Sequence, residues 1–541
     1  MKKIISISGL CAMLLFGSCS DFLTEENKSN STAEGFYVTN TGYEALINSC
    51  YSTLRDVYEP TPYMFCAGTD LFFAAHPDSP LGLTSYLSLT PGESNVETFF
   101  STIYQSIQVC NTALAYSDLT EKNSNLPSRV AEARYLRAFY YFLLVQNFGD
   151  LSLVTDMISE PITHFERQPA SEIYDFIISE LKLSIANLPV TQSNIGRVTK
   201  RAAMHLLAKV YLTRGYESYG SATDFSDAAA YADSTINNES LSVAYKNIFA
   251  YKNDVNSEVL FAIQYDTKSL VNGGAHNWDS PWGPLINAAG DGVQKKNMLH
   301  PTEYLFTLFT DNDSRFEGTF NNVRTANYSD WVLNPASASV IYYYPRTAEQ
   351  IANVDAWRAE NPTTRSATTI SPIGAHWWDG SNQEDFPALM KFDRIQTASV
   401  QYTHDLFLSR LGETYLIAAE AYFKTGNLDK AKDRINEVRR RAAIPGKEDK
   451  MMINTSDINI DFILDERARE LAGEGHRWLD LKRTGKLMER TKIYNPDIKA
   501  IYDSGRDPFL GSNGEYKILR PIPLSAISLD SKTYPQNPAY E

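Results

Sequence analysis

Three glutamates, Glu466, Glu470 and Glu474, recur at a spacing of four residues in the stretch DERARELAGEGHRWLDLKR. Paired carboxylates can hydrolyse sugars when they flank the scissile bond from opposite sides. A spacing of four places these three on one face of a helix. The arginines among them favour ionised carboxylates with a low pKa, which are poor general acids. The pattern therefore favours a salt-bridge network that ties a C-terminal helix to its neighbours; the alternative is an unrecognised acid/base pair.

Aromatic side chains offer a second chemistry. Six of the seven Trp lie between Trp278 and Trp378, in segments rich in Gly, Pro and Asn that favour loops. A flat indole can stack on the apolar face of a sugar ring, which hides area from water at about 25 cal/mol per Å². Indoles can instead fill the core beneath a long loop, but their clustering favours a shared binding platform. The candidate ligand-binding residues are Trp278, Trp282, Trp331, Trp377, Trp378, Tyr343 and Asn277.

Signatures of metal, nucleotide and serine-hydrolase chemistry are missing from the sequence. It contains no H-E-x-x-H, paired C-x-x-C, G-x-x-x-x-G-K-[ST] or G-x-S-x-G stretch. The acidic stretch TDNDSR at 310–315 lacks the spacing of an EF-hand. We therefore expect no catalytic residue, no metal and no cofactor. The net charge of −15 also argues against nucleic acid, whose phosphates need a basic face.

The first residues carry the pattern of a secretion signal. Two lysines follow Met1, an apolar run covers 4–16, and the small residues Gly17 and Ser18 precede Cys19. The run is shorter than the roughly 20 residues that span a bilayer. A cysteine in this position resembles the bacterial lipoprotein cleavage box, so Cys19 is predicted to carry a lipid anchor. An ordinary signal with an incidental cysteine is the alternative.

Cys50, Cys66 and Cys110 remain after the signal, and their odd number argues against a disulfide framework. At most one pair could form, and buried free thiols are the simpler expectation. The fold must then be held together by packing.

Helical periodicity dominates both ends of the chain. Apolar residues recur at helical spacing in RVAEARYLRAFYYFLLVQNFGD, up to Gly149, and in TKRAAMHLLAKVYLTRG, up to Gly215. The stretch SRLGETYLIAAEAYFKTGNLDKAKDRINEVRRRA predicts two amphipathic helices joined by a turn at 425–427. Antiparallel pairs of this kind are typical of tetratricopeptide-type repeats, which stack into a curved solenoid. The other predicted pairs, in a total of about four units, are 45–54 with 100–115 and 175–188 with the helix from 199.

Segments before residue 213 and after residue 409 together resemble one family. They are AEARYLRAFYYFLLVQNFGD, GRVTKRAAMHLLAKVYL, RLGETYLIAAEAYFKTGNLDKAKDRINEVRRRA and ILDERARELAGEGHRWLDLKRTGKL, followed by the ending LRPIPLSAISLDSKTYPQNPAYE. Their order and spacing resemble the SusD/RagB family of surface glycan-binding lipoproteins from Cys19 to the last residue. The resemblance implies a mainly α, SusD-like fold, in which a solenoid of tetratricopeptide-like pairs carries a loop-rich mixed subdomain in its second half. The family's usual Trp before the helix ending IYQSIQVCN is replaced here by Phe99-Phe100.

The stretch TDLFFAAHPDSP resembles the family segment that borders the ligand cleft, and it adds Asp70 as a candidate acceptor for a sugar hydroxyl. The resemblance also implies a partner, a SusC-like TonB-dependent outer-membrane transporter over which the lipoprotein acts as a lid. We therefore expect a non-catalytic protein that binds a glycan at the cell surface and delivers it to the transporter. The alternatives are a scaffold lipoprotein or a peptide-import lid without glycan binding. A surface glycoside hydrolase is a third alternative, but the sequence carries no motif that favours it.

The chain changes character at 251–405, where helical periodicity fades and aromatic, Gly and Pro residues rise. Loops of this kind carry function on a rigid scaffold. The predicted organisation is a lipoprotein signal at 1–18, a lipidated tether at 19–35, a helical solenoid at 36–250, a loop-rich ligand-binding region at 251–405, and a C-terminal helical pair with the family motif at 406–541.

Overall fold

Long helices follow one another in the N-terminal half. A computed structural model describes residues 32–59, 62–74, 76, 78–266, 276–287, 293–373 and 386–541. The elements before residue 250 are α1 (Ala33–Tyr37), α2 (Asn40–Tyr58), α3 (Tyr63–Cys66), β1 (Phe72–Ala74), α4 (Leu81–Ser85), α5 (Ser94–Tyr116), α6 (Leu126–Phe148), α7 (Ala170–Asn187), α8 (Lys200–Arg214), α9 (Asp224–Ile236) and α10 (Tyr245–Ile248).

Short strands and helical turns then replace the long helices. They are β2 (Val259–Ile263), β3 (Ile286–Asn287), β4 (Gln294–Lys295), β5 (Leu299–Pro301), α11 (Glu303–Thr307), α12 (Phe316–Thr319), β6 (Phe320–Asn321), β7 (Val323–Thr325), α13 (Asp330–Leu333), β8 (Val340–Tyr343), α14 (Ala348–Ala352), α15 (Val354–Glu360), α16 (Pro362–Arg365), β9 (Thr369–Ile370), β10 (Ala388–Leu389), β11 (Ile395–Gln396) and β12 (Gln401–Tyr402). This confirms that helical periodicity is lost here.

The C-terminal part returns to helix. Its elements are β13 (Leu406–Arg410), α17 (Leu411–Lys424), α18 (Leu428–Ala442), α19 (Glu448–Met451), α20 (Ile460–Leu471), α21 (Arg477–Arg483), α22 (Leu487–Tyr494), α23 (Pro496–Asp503) and α24 (Leu524–Leu529).

The long helices form one row. Helices α2, α5, α6, α7, α8 and α9 each pack against the next, α9 packs against α17, and α17 packs against α18. The row contains four consecutive helical pairs, α2 with α5, α6 with α7, α8 with α9 and α17 with α18, which confirms the predicted tetratricopeptide-like solenoid. The helices at 175–188 and from 199, predicted as one pair, are α7 and α8; they contact each other but belong to two adjacent pairs. Strand β2 pairs antiparallel with β13, so the chain leaves the row and returns to it at neighbouring positions. The short elements between them are therefore an insertion in the row.

Local signals set the helix ends as the sequence predicts. Gly149 ends α6 with a φ of 73°, in the left-handed region that favours glycine. The Thr199 side chain caps α8 by accepting a hydrogen bond from the backbone N–H of Ala202. Asn427 caps α18 in the same way, directly after Gly426 turns the chain with a φ of 78°.

One hydrophobic cluster runs through the helical row, the insertion and the C-terminal helices. Cys50, Cys66 and Cys110 belong to it as buried free thiols, as expected from their odd number. Burial raises the pKa of Cys66 to about 12, so its thiol is unreactive. Across the described ranges, none of the helices has the length and apolar character needed to span a bilayer.

The three glutamates at spacing four form a buried ion network. Arg315 Nη1 lies 2.8 Å from a carboxylate oxygen of Glu466 and 3.1 Å from one of Glu470. Arg410 lies 2.6 Å from Glu470 and 2.6 Å from Glu474. Burial alone would raise the pKa of Glu470, but the surrounding arginines lower it to about 2. The network joins α20 to β13 and the insertion, which confirms the salt-bridge interpretation. The prediction that all three share one helix face is wrong for Glu474, because α20 ends at Leu471 and Gly473 turns the chain with a φ of 78°.

Candidate functional site

Two of the predicted platform residues, Trp278 and Trp282, are buried. Each is 1% exposed. The Trp278 ring lies 5.8 Å from the rings of both Tyr58 and Phe65, and its Nε1 donates a hydrogen bond to the backbone oxygen of Gly473 at 2.9 Å. Trp282 packs 4.6 Å from Phe72. The expectation that these indoles stack on a ligand is wrong, because both anchor the insertion to the core.

Asp70 is also unavailable to a ligand. It is fully buried, and its carboxylate accepts hydrogen bonds from Arg477 at 2.6 and 2.7 Å and from Arg490 at 2.8 Å. Burial would raise the pKa of Asp70, but the two guanidinium groups lower it. The role predicted for Asp70 as a sugar acceptor is therefore wrong. Its backbone oxygen instead accepts a hydrogen bond from Thr302 Oγ1 at 2.7 Å, which helps to fix β1 beside β5.

Tyr343 lies inside a stack of rings. It is buried on β8, and its ring is stacked 4.2 Å from that of Trp357. The guanidinium of Arg365 lies 4.5 Å from the centre of the Trp357 ring. The prediction that Tyr343 faces a ligand is wrong, because its stacking surface is already occupied.

Trp331 and Asn277 do reach the surface. Asn277 is exposed, and Trp331 on α13 is half-buried. Trp331 packs on a small cluster formed by Ile286, Val293, Tyr328 and Ala388. Its Nε1 has no hydrogen-bond partner among the described residues, although the atom itself is buried. Trp377 and Trp378 lie outside the described residues, so their predicted role remains a prediction.

A buried polar network supports the cluster beneath Trp331. The Tyr328 hydroxyl donates to the Asp393 carboxylate at 2.5 Å, and the Lys295 ammonium pairs with the same carboxylate. Lys295 also donates to the backbone oxygen of Asp279 at 2.9 Å, and Arg394 donates to the Asp279 carboxylate at 3.0 Å. These bonds connect β4, β11 and the segment that holds Trp278. They give Trp331 a rigid base despite the short elements around it.

Sequence reasoning missed a second partly exposed ring, Phe73. In the stretch TDLFFAAHPDSP, Phe72 points into the core and Phe73 is half-buried, as expected from the alternation of side chains in a strand. The Phe73 ring meets His300 edge-on at 5.4 Å, and His300 lies 4.0 Å from Phe386. Phe386 is two residues before Ala388, which contacts Trp331. This alternation is the signal that could have identified Phe73.

We treat the partly exposed residues Phe73, Leu285 and Trp331 as one candidate surface, connected beneath by His300, Phe386 and Ala388, and call it the loop face. Leu285 is half exposed and precedes Ile286 of the Trp331 cluster. Two rings on a rigid base, with polar side chains nearby, can stack on a flat apolar ligand surface. Among the described residues, no group of three or more His, Cys, Asp or Glu could hold a metal ion.

His276 is locked in its neutral form near the loop face. Its Nδ1 accepts a hydrogen bond from the backbone N–H of Trp278 at 3.1 Å, so Nε2 carries the proton and donates to the backbone oxygen of His404 at 3.1 Å. Burial, as the main cause, lowers the pKa of His276 to about 4. A protonated ring could not accept the bond from Trp278, so protonation would break the anchor of this segment.

We expect His276 to make the free energy of unfolding fall more steeply as the pH is lowered from 7 to 5. The unfolded histidine titrates near 6.5, above the folded pKa of about 4, so the unfolded chain takes up the proton first. The neutral His276 therefore lowers the free energy of unfolding progressively below pH 6.5, by about 2 kcal/mol at pH 5. Urea unfolding at pH 7, 6 and 5 measures the slope. His276→Gln should flatten it by one proton; an unchanged slope would contradict the assignment.

Comparisons with known proteins match both halves of the chain. The model of the SusD family matches residues 257–540, and a second model, described as "Starch-binding associating with outer membrane", matches residues 21–212. The chain is 26% identical to SusD-like protein P2 of Formosa agariphila over the full length of both. It is 27% identical to the starch-binding protein SusD of Bacteroides thetaiotaomicron, over 85% of this chain and 81% of that one.

Solved structures share the fold. A laminarin binding SusD-like protein matches with a TM-score of 0.66 and 23% identity, over 93% of this chain and 100% of that one. Surface glycan-binding protein A from Bacteroides thetaiotaomicron, in complex with laminarihexaose, matches with a TM-score of 0.68 and 21% identity, over 92% of this chain and 99% of that one. Where these names state an activity, it is binding and not a reaction. The chain belongs to the SusD family.

Proposed function

We propose that this protein binds an oligo- or polysaccharide at the cell surface without cleaving it. Membership of the SusD family carries this proposal, because relatives across the family are named for starch, laminarin or glycan binding. The loop face supplies a matching surface, with partly exposed rings at Phe73 and Trp331. The glutamates that could resemble a hydrolytic pair are all committed to arginines.

The proposed mechanism is stacking with hydrogen bonding at the rim. The half-buried indole of Trp331 covers the apolar face of one sugar ring, and the Phe73 ring covers another part of the glycan. Their contact removes apolar area from water at about 25 cal/mol per Å². The exposed Asn277 amide then forms a hydrogen bond with a hydroxyl group of the sugar. Trp377 and Trp378 are proposed to extend the same surface.

We further propose that the protein is held at the outer membrane and works with a transporter. The apolar run before Cys19 and the description "associating with outer membrane" support a lipid anchor on Cys19. A SusC-like TonB-dependent transporter is the proposed partner, and the bound glycan is delivered to it when the lipoprotein closes over the barrel. A scaffold or peptide-import lid without glycan binding is the competing function.

Trp331→Ala is expected to weaken glycan binding at least tenfold, or about 1.4 kcal/mol, because it removes the stacking surface. Phe73→Ala should have a smaller effect in the same direction. Calorimetric titration of a polysaccharide panel, including starch and laminarin, measures both. Tyr219→Ala is the matched control, because Tyr219 is a partly exposed ring beside Tyr174 of α7. Equal affinity in wild type and Trp331→Ala would remove the loop face as the site, and no binding to any glycan would favour the scaffold.

A further inference from the structure

An apolar groove of about 540 Å³ lies on the helical part of the molecule. Phe100 and Tyr104 of α5 form its floor, the segment 152–165 forms one wall, and α24 with the residues up to Tyr534 forms the other. Concave apolar clefts of this size are the usual shape of binding sites. The groove shares no residue with the loop face, and the proposed glycan function does not use it.

Large apolar side chains stand exposed around this groove. Leu529 is 82% exposed and Ile162 is 50% exposed, and both line the groove. Ile158 is another exposed lining residue, and its neighbour Met157 is exposed as well. Single exposed aliphatic residues are ordinary, but a set of them around a concave cleft marks an interaction site. The aliphatic rim is poorly suited to a sugar, which is covered by hydroxyl groups.

Hydrogen bonds fix the positions of the floor and walls of the groove. The Tyr104 hydroxyl donates to the backbone oxygen of Ser152 at 3.1 Å, and the backbone N–H of Ile158 donates to Gln108 Oε1 at 3.2 Å. The backbone N–H of Ser531 donates to the backbone oxygen of Thr163 at 2.7 Å, which joins the two walls. The groove is therefore preformed, and its apolar rim is not covered by collapse of the walls.

The charge around the groove selects its occupant. Asp156 and Glu160 lie exposed on the wall segment and Glu166 lies exposed directly after it, and none of the three has an ion-pair partner within the described ranges. Lys532 is a base on the opposite wall, so acids outnumber bases. The tether at 19–31 carries three acids and one lysine, and a second copy carries a net charge of −15. Both would be repelled, whereas a basic segment would be attracted.

We propose that this groove docks an apolar segment of a partner protein that carries lysine or arginine beside its apolar residues. The aliphatic side chains of the segment enter the groove between Ile162 and Leu529. Its basic residues face Asp156, Glu160 and Glu166. This proposal does not rest on glycan binding, because the two surfaces are separate.

A synthetic amphipathic helix of leucine and lysine, titrated against the Cys19→Ser chain without detergent, tests the proposal. It should bind, and the Ile162→Asp/Leu529→Asp variant should bind at least tenfold more weakly. Both side chains are exposed, so we expect this variant to fold like wild type, and its melting temperature checks that. Leu119→Asp/Val190→Asp, at exposed aliphatic residues elsewhere on the helical part, is the matched control and should bind like wild type.

A second set of measurements tests the charge argument. A leucine–glutamate helix should bind at least tenfold more weakly than the leucine–lysine helix. Asp156→Asn/Glu160→Gln/Glu166→Gln should bind the lysine peptide more weakly and with less dependence on salt. Absence of binding, or binding unaffected by the Ile162 and Leu529 substitutions, would overturn the proposal. Equal binding of the two peptides would contradict the proposal that the docked segment is basic. Glycan affinity, measured in parallel, should be unchanged in every variant.

Discussion

Arg410→Met is expected to lower the free energy of unfolding by about 3–5 kcal/mol at pH 7. The Arg410 guanidinium donates to Glu474 at 2.6 and 2.9 Å, to the Glu470 carboxylate at 2.6 Å and to the Glu470 backbone oxygen at 2.7 Å. Methionine has a similar volume but no charge, so it leaves two buried carboxylates short of a partner. This loss is a large part of the 5–15 kcal/mol typical of a folded domain.

Urea unfolding of wild type and Arg410→Met at pH 7 and pH 4 measures the effect. The difference between them should shrink at pH 4, because a carboxylate that has lost its arginine has a raised pKa and becomes neutral in the variant. Arg440→Met is the matched control: Arg440 pairs with Glu437 on the same helix, and its side chain is 55% exposed. That substitution should cost less than about 1 kcal/mol. A similar loss in the two variants would show that burial of the network contributes little.

Trp278→Ala is expected to cost about 3–5 kcal/mol of stability. The substitution leaves a cavity between Tyr58, Phe65 and the turn at Gly475, where a Cβ would already lie 3.3 Å from the indole. It also removes the hydrogen bond to the Gly473 backbone oxygen. The insertion would lose an anchor to the helical row, so the denaturant midpoint should fall while the remaining folded protein keeps its helix content.

Trp331→Ala separates anchoring from binding. Trp331 is half-buried, so its loss should cost only about 1 kcal/mol in chemical unfolding, although it abolishes much of the glycan affinity. Trp278→Ala should instead lose stability and keep its glycan affinity, when the affinity is measured at a temperature where the variant remains folded. Loss of affinity in folded Trp278→Ala, with Trp331→Ala unaffected, would contradict the positions assigned to the two indoles.

The fold could be predicted from sequence because its signals are local. Apolar spacing marked the long helices, and Gly149, Thr199 and Asn427 marked their ends within a few residues. The spacing of Glu466 and Glu470 likewise predicted a shared helix face, but α20 ends at Leu471, before Glu474. The arginines nearby predicted an ion network, although its main cations, Arg315 and Arg410, are remote in sequence. Packing of α9 against α17 is not local, but it follows once the helical pairs on either side of the insertion are recognised as one stacked row.

The binding residues could not be predicted in the same way, because their orientation depends on distant partners. A Gly- and Pro-rich segment predicts an irregular backbone but not which side chains turn inward. Trp278 is held in the interior by a hydrogen bond to Gly473, 195 residues away in sequence. Asp70 is held there by hydrogen bonds from Arg477, 407 residues away. Phe73, by contrast, was readable from the alternation in its strand. Composition therefore identified the region, and only the packing identified its exposed rings.

The pairing of Asp70 with Arg477 and Arg490 also has a consequence for biosynthesis. When Asp70 is translated, its partners are still more than four hundred residues from being translated. Until they arrive, the aspartate cannot enter the interior without a large cost, and contacts this remote form slowly. The first part of the chain must therefore wait in an open state, and a premature stop before Arg477 should yield a product that is degraded instead of a shortened protein.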